Sequence, residues 1–151
     1  MRFLQVLPVV LVLATAAQAA PATKLEVSRA WSRPAAAGTN GVGYLTLANR
    51  GPGTEKLLSV ETVVAQRVEM HQTSMAGGIM SMQRLDKGLI IAPGKSVTFA
   101  PGGYHLMLIG LHKALVVGDR VPATLVLASG VRIKTTFPVG AAPPPVSMRT
   151  R

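Results

Sequence analysis

The sequence predicts an all-β fold, a single-domain antiparallel β-sandwich or β-barrel. Short apolar or alternating segments follow one another at roughly eight-to-twelve-residue spacing, and turns rich in the 15 Gly and 11 Pro residues separate them. No stretch of about ten residues or more has convincing helical periodicity. Apolar residues make up 48% of the 151 residues, so the chain can bury one hydrophobic core and is not disordered.

The strands can be assigned in chain order from these alternations and turns. Trp31 is the expected core anchor of the first strand. A dense turn signal at 49–53 ends the second strand, and the tight turn 75–78 joins the fourth and fifth strands into a hairpin. The predicted strands are 24–33, 41–49, 55–62, 65–72, 79–85, 89–92, 96–100, 104–109, 123–128 and 131–139.

The first 19 residues have the pattern of a secretory signal peptide. Arg2 precedes an apolar run over 3–16, and Ala17-Gln18-Ala19 forms a small-residue cleavage site. The run is too short to span a bilayer comfortably, and no cysteine follows it to carry a lipid. We therefore expect an exported protein without stable membrane insertion after cleavage, with a β-domain over 20–140 and a flexible Pro-rich tail over 141–151.

Charge and cysteine content exclude several classes of function. The formal net charge is +10, but 4% aromatic residues and no Lys/Arg run make nucleic acid a poor partner. The chain has no cysteine, which removes disulfides, thiolate zinc sites and the cysteine-ligated blue-copper site. No Ser-His-Asp set or closely spaced carboxylate pair stands out, so we do not expect an enzyme.

Methionine and histidine concentrate in one part of the sequence. Five of the seven Met and two of the three His lie between Met70 and Met107. Thioether sulfur is a soft donor that favours Cu(I), and imidazole binds copper as well. The cluster therefore predicts a copper site, provided that the fold brings these side chains together.

Strand geometry selects four candidate ligands from the cluster. Side chains two residues apart on a strand share one face, which groups His105 with Met107 and Met80 with Met82. His71 lies across the predicted hairpin from Met82. A set of imidazoles and thioethers is neutral, which suits a soft monovalent ion better than zinc. The candidate metal ligands are His71, Met82, His105 and Met107, with Met80 as the reserve.

The same residue types also have ordinary roles. Methionine often fills gaps in a core, and a lone histidine is usually a surface or hydrogen-bonded residue. Glu69 is predicted on the face of His71, either as a partner of its imidazole or as a surface residue. The residues assigned to ordinary roles are Met70, Met75, His112 and Met148.

Around these residues the sequence resembles the periplasmic PCu(A)C copper chaperones. His71 and Met82 match the first half of the family's metal motif, and His105 and Met107 match the second. The 22 residues between Met82 and His105 are one more than the family's usual spacing, and we expect the extra residue in the turn 84–88. The matching segments are 69–71, 80–82 and 101–110, with further matches at 30–34, 43–47 and 115–119.

The resemblance implies a cupredoxin-like Greek-key barrel that binds one Cu(I) at a shallow, exposed site. It also implies a periplasmic location and delivery of copper to the binuclear centre of cytochrome c oxidase, through subunit II or its assembly factors. Two alternatives stay open. One is a cupredoxin-like electron carrier, against which the missing cysteine counts. The other is a metal-free structural or interaction β-sandwich in which the methionines only pack.

Overall fold

The computed structural model describes residues 24–144, and these form ten strands in two packed sheets. The predicted signal peptide over 1–19 and most of the predicted tail lie outside the described residues. Within 24–144, no helix is long and apolar enough to cross a membrane. The strands are β1 (Leu25–Ser32), β2 (Gly41–Asn49), β3 (Glu55–Thr62), β4 (Ala65–Ala76), β5 (Ile79–Arg84), β6 (Leu89–Ile91), β7 (Ser96–Phe99), β8 (Tyr104–Leu111), β9 (Arg120–Leu127) and β10 (Arg132–Pro138).

The core lies between a six-stranded sheet and a four-stranded sheet. The larger sheet has the order β1-β2-β7-β8-β4-β5, and the smaller has the order β10-β9-β3-β6. All strand pairs are antiparallel except the short contact of β7 with β8 at Phe99 and Tyr104. Burying a Leu or Ile side chain stabilises a fold by about 1.5–3 kcal/mol. The almost completely buried side chains include Leu45, Leu47, Leu57, Ile91, Leu106, Leu125 and Leu127.

The sequence predicts β2 and β3 to the residue, but β4 is four residues longer than expected. Its end pairs with β5 beyond the core, where no apolar alternation marks a strand. The turn is also shorter than predicted: Gly77 and Gly78, with φ of 58° and 78°, form a two-residue hairpin loop, and Met75 lies in the strand. His71 consequently lies within β4 instead of at its end.

Trp31 is buried as predicted, but it is not part of the core between the sheets. The pairing of β1 with β2 shifts between Ser28 and Trp31, next to Arg29, which has a φ of 53°. This irregularity changes the alternation of β1. Trp31 packs on Tyr44 at a ring-centroid distance of 4.9 Å, and the guanidinium of Arg33 lies 5.7 Å from each ring centroid.

The end of the β4–β5 hairpin extends past the neighbouring strand β8. Pairing of β4 with β8 stops at Gln72 and Tyr104, whereas pairing of β4 with β5 continues to Ala76 and Ile79. We call residues 73–82 the hairpin tip. Every residue of β5 is exposed, so both faces of the hairpin tip border solvent over most of its length.

Candidate metal centre

His71 and His105 are directly opposite each other on the neighbouring strands β4 and β8. Their ring centroids are 5.5 Å apart, and the rings meet at 75°, edge to face. Directly opposite residues of an antiparallel pair point to the same side of the sheet. The structure therefore brings together two imidazoles that are 34 positions apart in the sequence.

Met82 reaches the same point from β5. Its sulfur lies 3.0 Å from Nδ1 of His71. At metal–nitrogen and metal–sulfur distances of about 2.0 and 2.3 Å, two ligands of one ion lie about 3–4 Å apart. Met82 is opposite Thr73, and Arg84 is opposite His71, so the contact runs diagonally across the hairpin. The long spacing before His105 thus does not move Met82 away from His71.

Each imidazole has one nitrogen engaged with the protein and one nitrogen left for a ligand. Nε2 of His71 lies 3.0 Å from the carboxylate of Glu69, and Nδ1 of His105 lies 3.2 Å from the carbonyl oxygen of Gly103. Both acceptors require an N–H, which assigns the tautomer of each imidazole in its neutral form. Nδ1 of His71 and Nε2 of His105 then carry free lone pairs. Metal-binding histidines are typically held in this way by an acceptor at the second nitrogen.

Met107 lies on the same face of β8 as His105, two residues further along. Its cross-strand neighbours are Glu69 on β4 and Val42 on β2. It is half-buried, and its position on β8 is farther from the hairpin tip than that of His105. Of the four candidate ligands, the structure places three in contact or ring-to-ring proximity and Met107 at the next position of the ladder.

Glu69 has a role that the sequence leaves open. Its carboxylate contacts Nε of Arg67 at 2.8 Å and a terminal nitrogen of Arg84 at 3.1 Å, in addition to His71. The hydrogen bond from Arg67 and then that from His71 lower the pKa of the Glu69 carboxyl below its ordinary value. A charged Glu69 orients the His71 ring, while the two guanidinium groups offset its negative charge. Alternation places Arg67 and Glu69 on one face of β4, whereas Arg84 reaches Glu69 from the neighbouring strand β5.

The exposure of the candidate ligands rises from β8 to β5. His105 is 8% exposed, His71 is half-buried and Met82 is 57% exposed. An ion bound between them would have the buried imidazole of His105 on its inner side and the exposed thioether of Met82 on its solvent side. The arrangement can hold a soft cation and leaves one side accessible to an incoming ligand.

The remaining His and Met residues take different positions. Met70 is a core residue, 5% exposed, as predicted. His112 is exposed at the end of β8 and lies outside the cluster. Met75 and Met80 are a directly opposite pair on the hairpin tip, both exposed, so Met75 has no packing role. Met148 lies outside the described residues.

Fold and site together define a small β-sandwich protein with His and Met side chains gathered on one sheet face. The chain belongs to the LpqE-like family, whose sequence profile matches residues 25–139. It is 30% identical over 115 residues to the protein described as "Putative lipoprotein Lxx21020" of Leifsonia xyli subsp. xyli, covering 76% of this chain and 69% of that protein.

Two solved structures are similar to this fold. The copper-bound PCuAC domain from PmoF2 superposes with a TM-score of 0.66 at 25% identity, over 81% of this chain and 97% of that domain. The solution structure of CuI-DR1885 from Deinococcus radiodurans has a TM-score of 0.58 at 30% identity, over 82% and 80% of the two chains. The predicted single-domain, cupredoxin-like all-β fold and the resemblance to PCu(A)C proteins are thereby confirmed.

Proposed function

We propose that this protein is a periplasmic copper chaperone that binds one Cu(I) through His71, Met82, His105 and Met107. The observation that carries the proposal is the approach of Nδ1 of His71 and the sulfur of Met82 to 3.0 Å. In the neutral imidazole whose Nε2–H donates to Glu69, Nδ1 carries a lone pair, so Nδ1 and the thioether sulfur face each other as two electron-pair donors. A soft cation shared by both would turn this contact into a favourable one.

The solved relatives support copper as the cargo. One is the copper-bound PCuAC domain from PmoF2, and another is CuI-DR1885. Two imidazoles and two thioethers form a neutral set suited to a monovalent soft ion. The carboxylate of Glu69 supports the site by holding the His71 ring through Nε2, which leaves Nδ1 facing the sulfur of Met82.

Release would occur through the exposed side of the site. Met82 is more exposed than the two histidines and can leave first. A partner that offers thiolates, which are softer and charged, then replaces the remaining ligands one at a time. Capture and release of this kind require no turnover, so the protein would act without an enzymatic step.

The destination and location of the protein complete the proposal. From the resemblance of the motif segments, we propose delivery to the binuclear copper centre of cytochrome c oxidase, through subunit II or its assembly factors. The lipoprotein description of the Leifsonia relative supports export. Because the 151 residues contain no cysteine, we propose export by the signal peptide 1–19 without lipid attachment.

A Cu(I) titration of residues 20–151 in the presence of a competing chelator tests this function. We expect one equivalent bound by the wild type and by His112→Ala, the matched control outside the cluster. The double variant His71→Ala/His105→Ala should lose that equivalent, because both imidazoles are gone. Unchanged affinity in the double variant would refute the site and favour a metal-free β-sandwich. A reversible Cu(II)/Cu(I) couple with fast electron exchange would instead favour an electron carrier.

A further inference from the structure

The hairpin tip carries three thioethers, of which only that of Met82 belongs to the proposed four-ligand site. Met75 and Met80 are directly opposite each other, and Met82 is the next residue on the same face of β5. His71 lies on this face as well, so the thioethers continue the site outwards along the hairpin. Met75, Met80 and Met82 are 66%, 67% and 57% exposed.

Packing does not explain these methionines. The β4–β5 ladder runs beyond β8 at the hairpin tip, and the side chains of this face have no sheet layer above them. The opposite face of the same segment is different, because Ser74 and Ser81 form a cross-strand hydrogen bond of 2.9 Å there. The three thioethers of the hairpin tip thus lie together on one exposed face, beside Thr73, whereas the other face carries the serine pair and the exposed Ile79.

The backbone register brings the outer thioethers within reach of one ion. Directly opposite residues of an antiparallel pair have Cβ atoms about 4.5–5.5 Å apart. Methionine has three flexible side-chain torsions, so the sulfurs of Met75 and Met80 can approach one cation from both strands. The next thioether, Met82, lies about 6.5–7 Å further along β5 and also contacts His71.

We propose that Met75 and Met80 form a second, outer site for Cu(I), from which the ion passes to and from the inner site through Met82. Two neutral thioethers bind more weakly than two imidazoles and two thioethers, so the outer site fills second. Binding at the outer site stands independently, whereas the exchange of ions through Met82 rests on the proposed function. Transfer moves the cation between neutral donors, with no change in its oxidation state.

Silver(I) is a redox-inert probe for soft-donor sites of this kind. We expect the first equivalent of Ag⁺ to shift the NMR signals of the His71 and His105 imidazoles and of the Met82 methyl group. Further Ag⁺ should shift the methyl signals of Met75 and Met80. In Met75→Leu/Met80→Leu this second event should disappear while the first remains, and in the control Ile79→Leu both should remain.

The outcomes separate the outer site from the inner one. The outer site would be overturned if the methyl signals of Met75 and Met80 did not shift in about tenfold excess of Ag⁺. It would also be overturned if the double Leu variant retained the second event. Outer binding that persists in His71→Ala/His105→Ala, while the first event is lost, would support both sites separately. Loss of all shifts in that variant, with its folded spectrum intact, would overturn an independent outer site.

Transfer kinetics test the exchange step. Cu(I) removal from the loaded protein by excess chelator should slow by about tenfold in the double Leu variant, since the outer pair no longer relays the ion. The equilibrium affinity of the first equivalent should stay the same. An unchanged removal rate at unchanged affinity would refute the exchange, even if the outer site binds Ag⁺.

Discussion

Methionines on the two faces of β4 have different environments, one packed in the core and one exposed to solvent. Met70 points between the sheets and is buried in the core, whereas Met75 points outwards and is 66% exposed. His71 follows Met70 directly in the chain but faces the other side, towards His105 and Met82. Because a strand alternates sides at every residue, the position of a methionine relative to the core decides whether it packs or remains available as a donor.

The largest expected effect is the loss of stability when the buried methionine of β4 is truncated, compared with the same truncation of an exposed methionine. Met70→Ala should lower the free energy of unfolding by about 2–5 kcal/mol, because it leaves a cavity between the sheets. Met82→Ala should change that free energy by less than about 0.5 kcal/mol, as exposed substitutions usually do. Urea unfolding of the metal-free proteins measures both values.

The two variants should rank in the opposite order when Cu(I) affinity is measured instead of stability. Met82→Ala should weaken Cu(I) affinity, whereas Met70→Ala should bind normally under conditions where it remains folded. Equal loss of stability in the two variants would mean that Met82 packs after all, and the contrast between the faces of β4 would fail.

A smaller effect on Cu(I) affinity is expected from variants of Glu69, whose carboxylate contacts the His71 ring. Glu69→Ala removes the acceptor that orients His71 and should weaken Cu(I) affinity by about tenfold to a hundredfold. Glu69→Gln keeps an acceptor oxygen and should recover part of this loss. Nitrogen NMR of the His71 ring should show mixed tautomers in the Ala variant and one tautomer in the wild type.

Glu61→Gln is the matched control for the Glu69 variants. Glu61 is also a glutamate paired with an arginine, Arg132, but it belongs to the other sheet. It should leave both affinity and the His71 tautomer unchanged. An equal loss of affinity in this control would indicate a general effect of net charge instead of the orientation of His71.

The smallest expected effect is the pH dependence of this ion-pair cluster in the metal-free protein. The pKa of Glu69 is lowered in the folded state from its ordinary value of 4.5, so the unfolded chain takes up the proton first as pH falls. The stabilisation by Glu69 is therefore complete above about pH 4.5 and is lost as pH falls through the folded-state pKa. The stability difference between wild type and Glu69→Gln should narrow over that range, and a constant difference would contradict the ion-pair assignment.

The β4–β5 hairpin illustrates which features could be predicted from the sequence. Alternation identifies Met80 and Met82 as neighbours on one face, and the Gly pair marks the turn. The loop length was wrong by two residues, which moves Arg84 instead of Met82 opposite His71. A shift of two residues leaves every side chain on the same face of the sheet, because the strand period is two. The predicted faces of Met80 and Met82 were therefore correct although the predicted loop length was not.

The sequence by itself determined the all-β class, most strand bounds to within one residue, and the residue types of the candidate metal site. These features follow from local rules: side-chain alternation, turn residues and the absence of cysteine. Only the tertiary structure decided that His71 lies opposite His105, that Met82 rather than Met80 contacts His71, and that Glu69 is held by two arginines. The contact of His71 with His105 depends on pairing of β4 with β8, which are far apart in the chain, and core packing fixes this pairing only when the sheets form. The contacts of Met82 and Arg84 depend on the register of the β4–β5 hairpin, which the length of its turn decides.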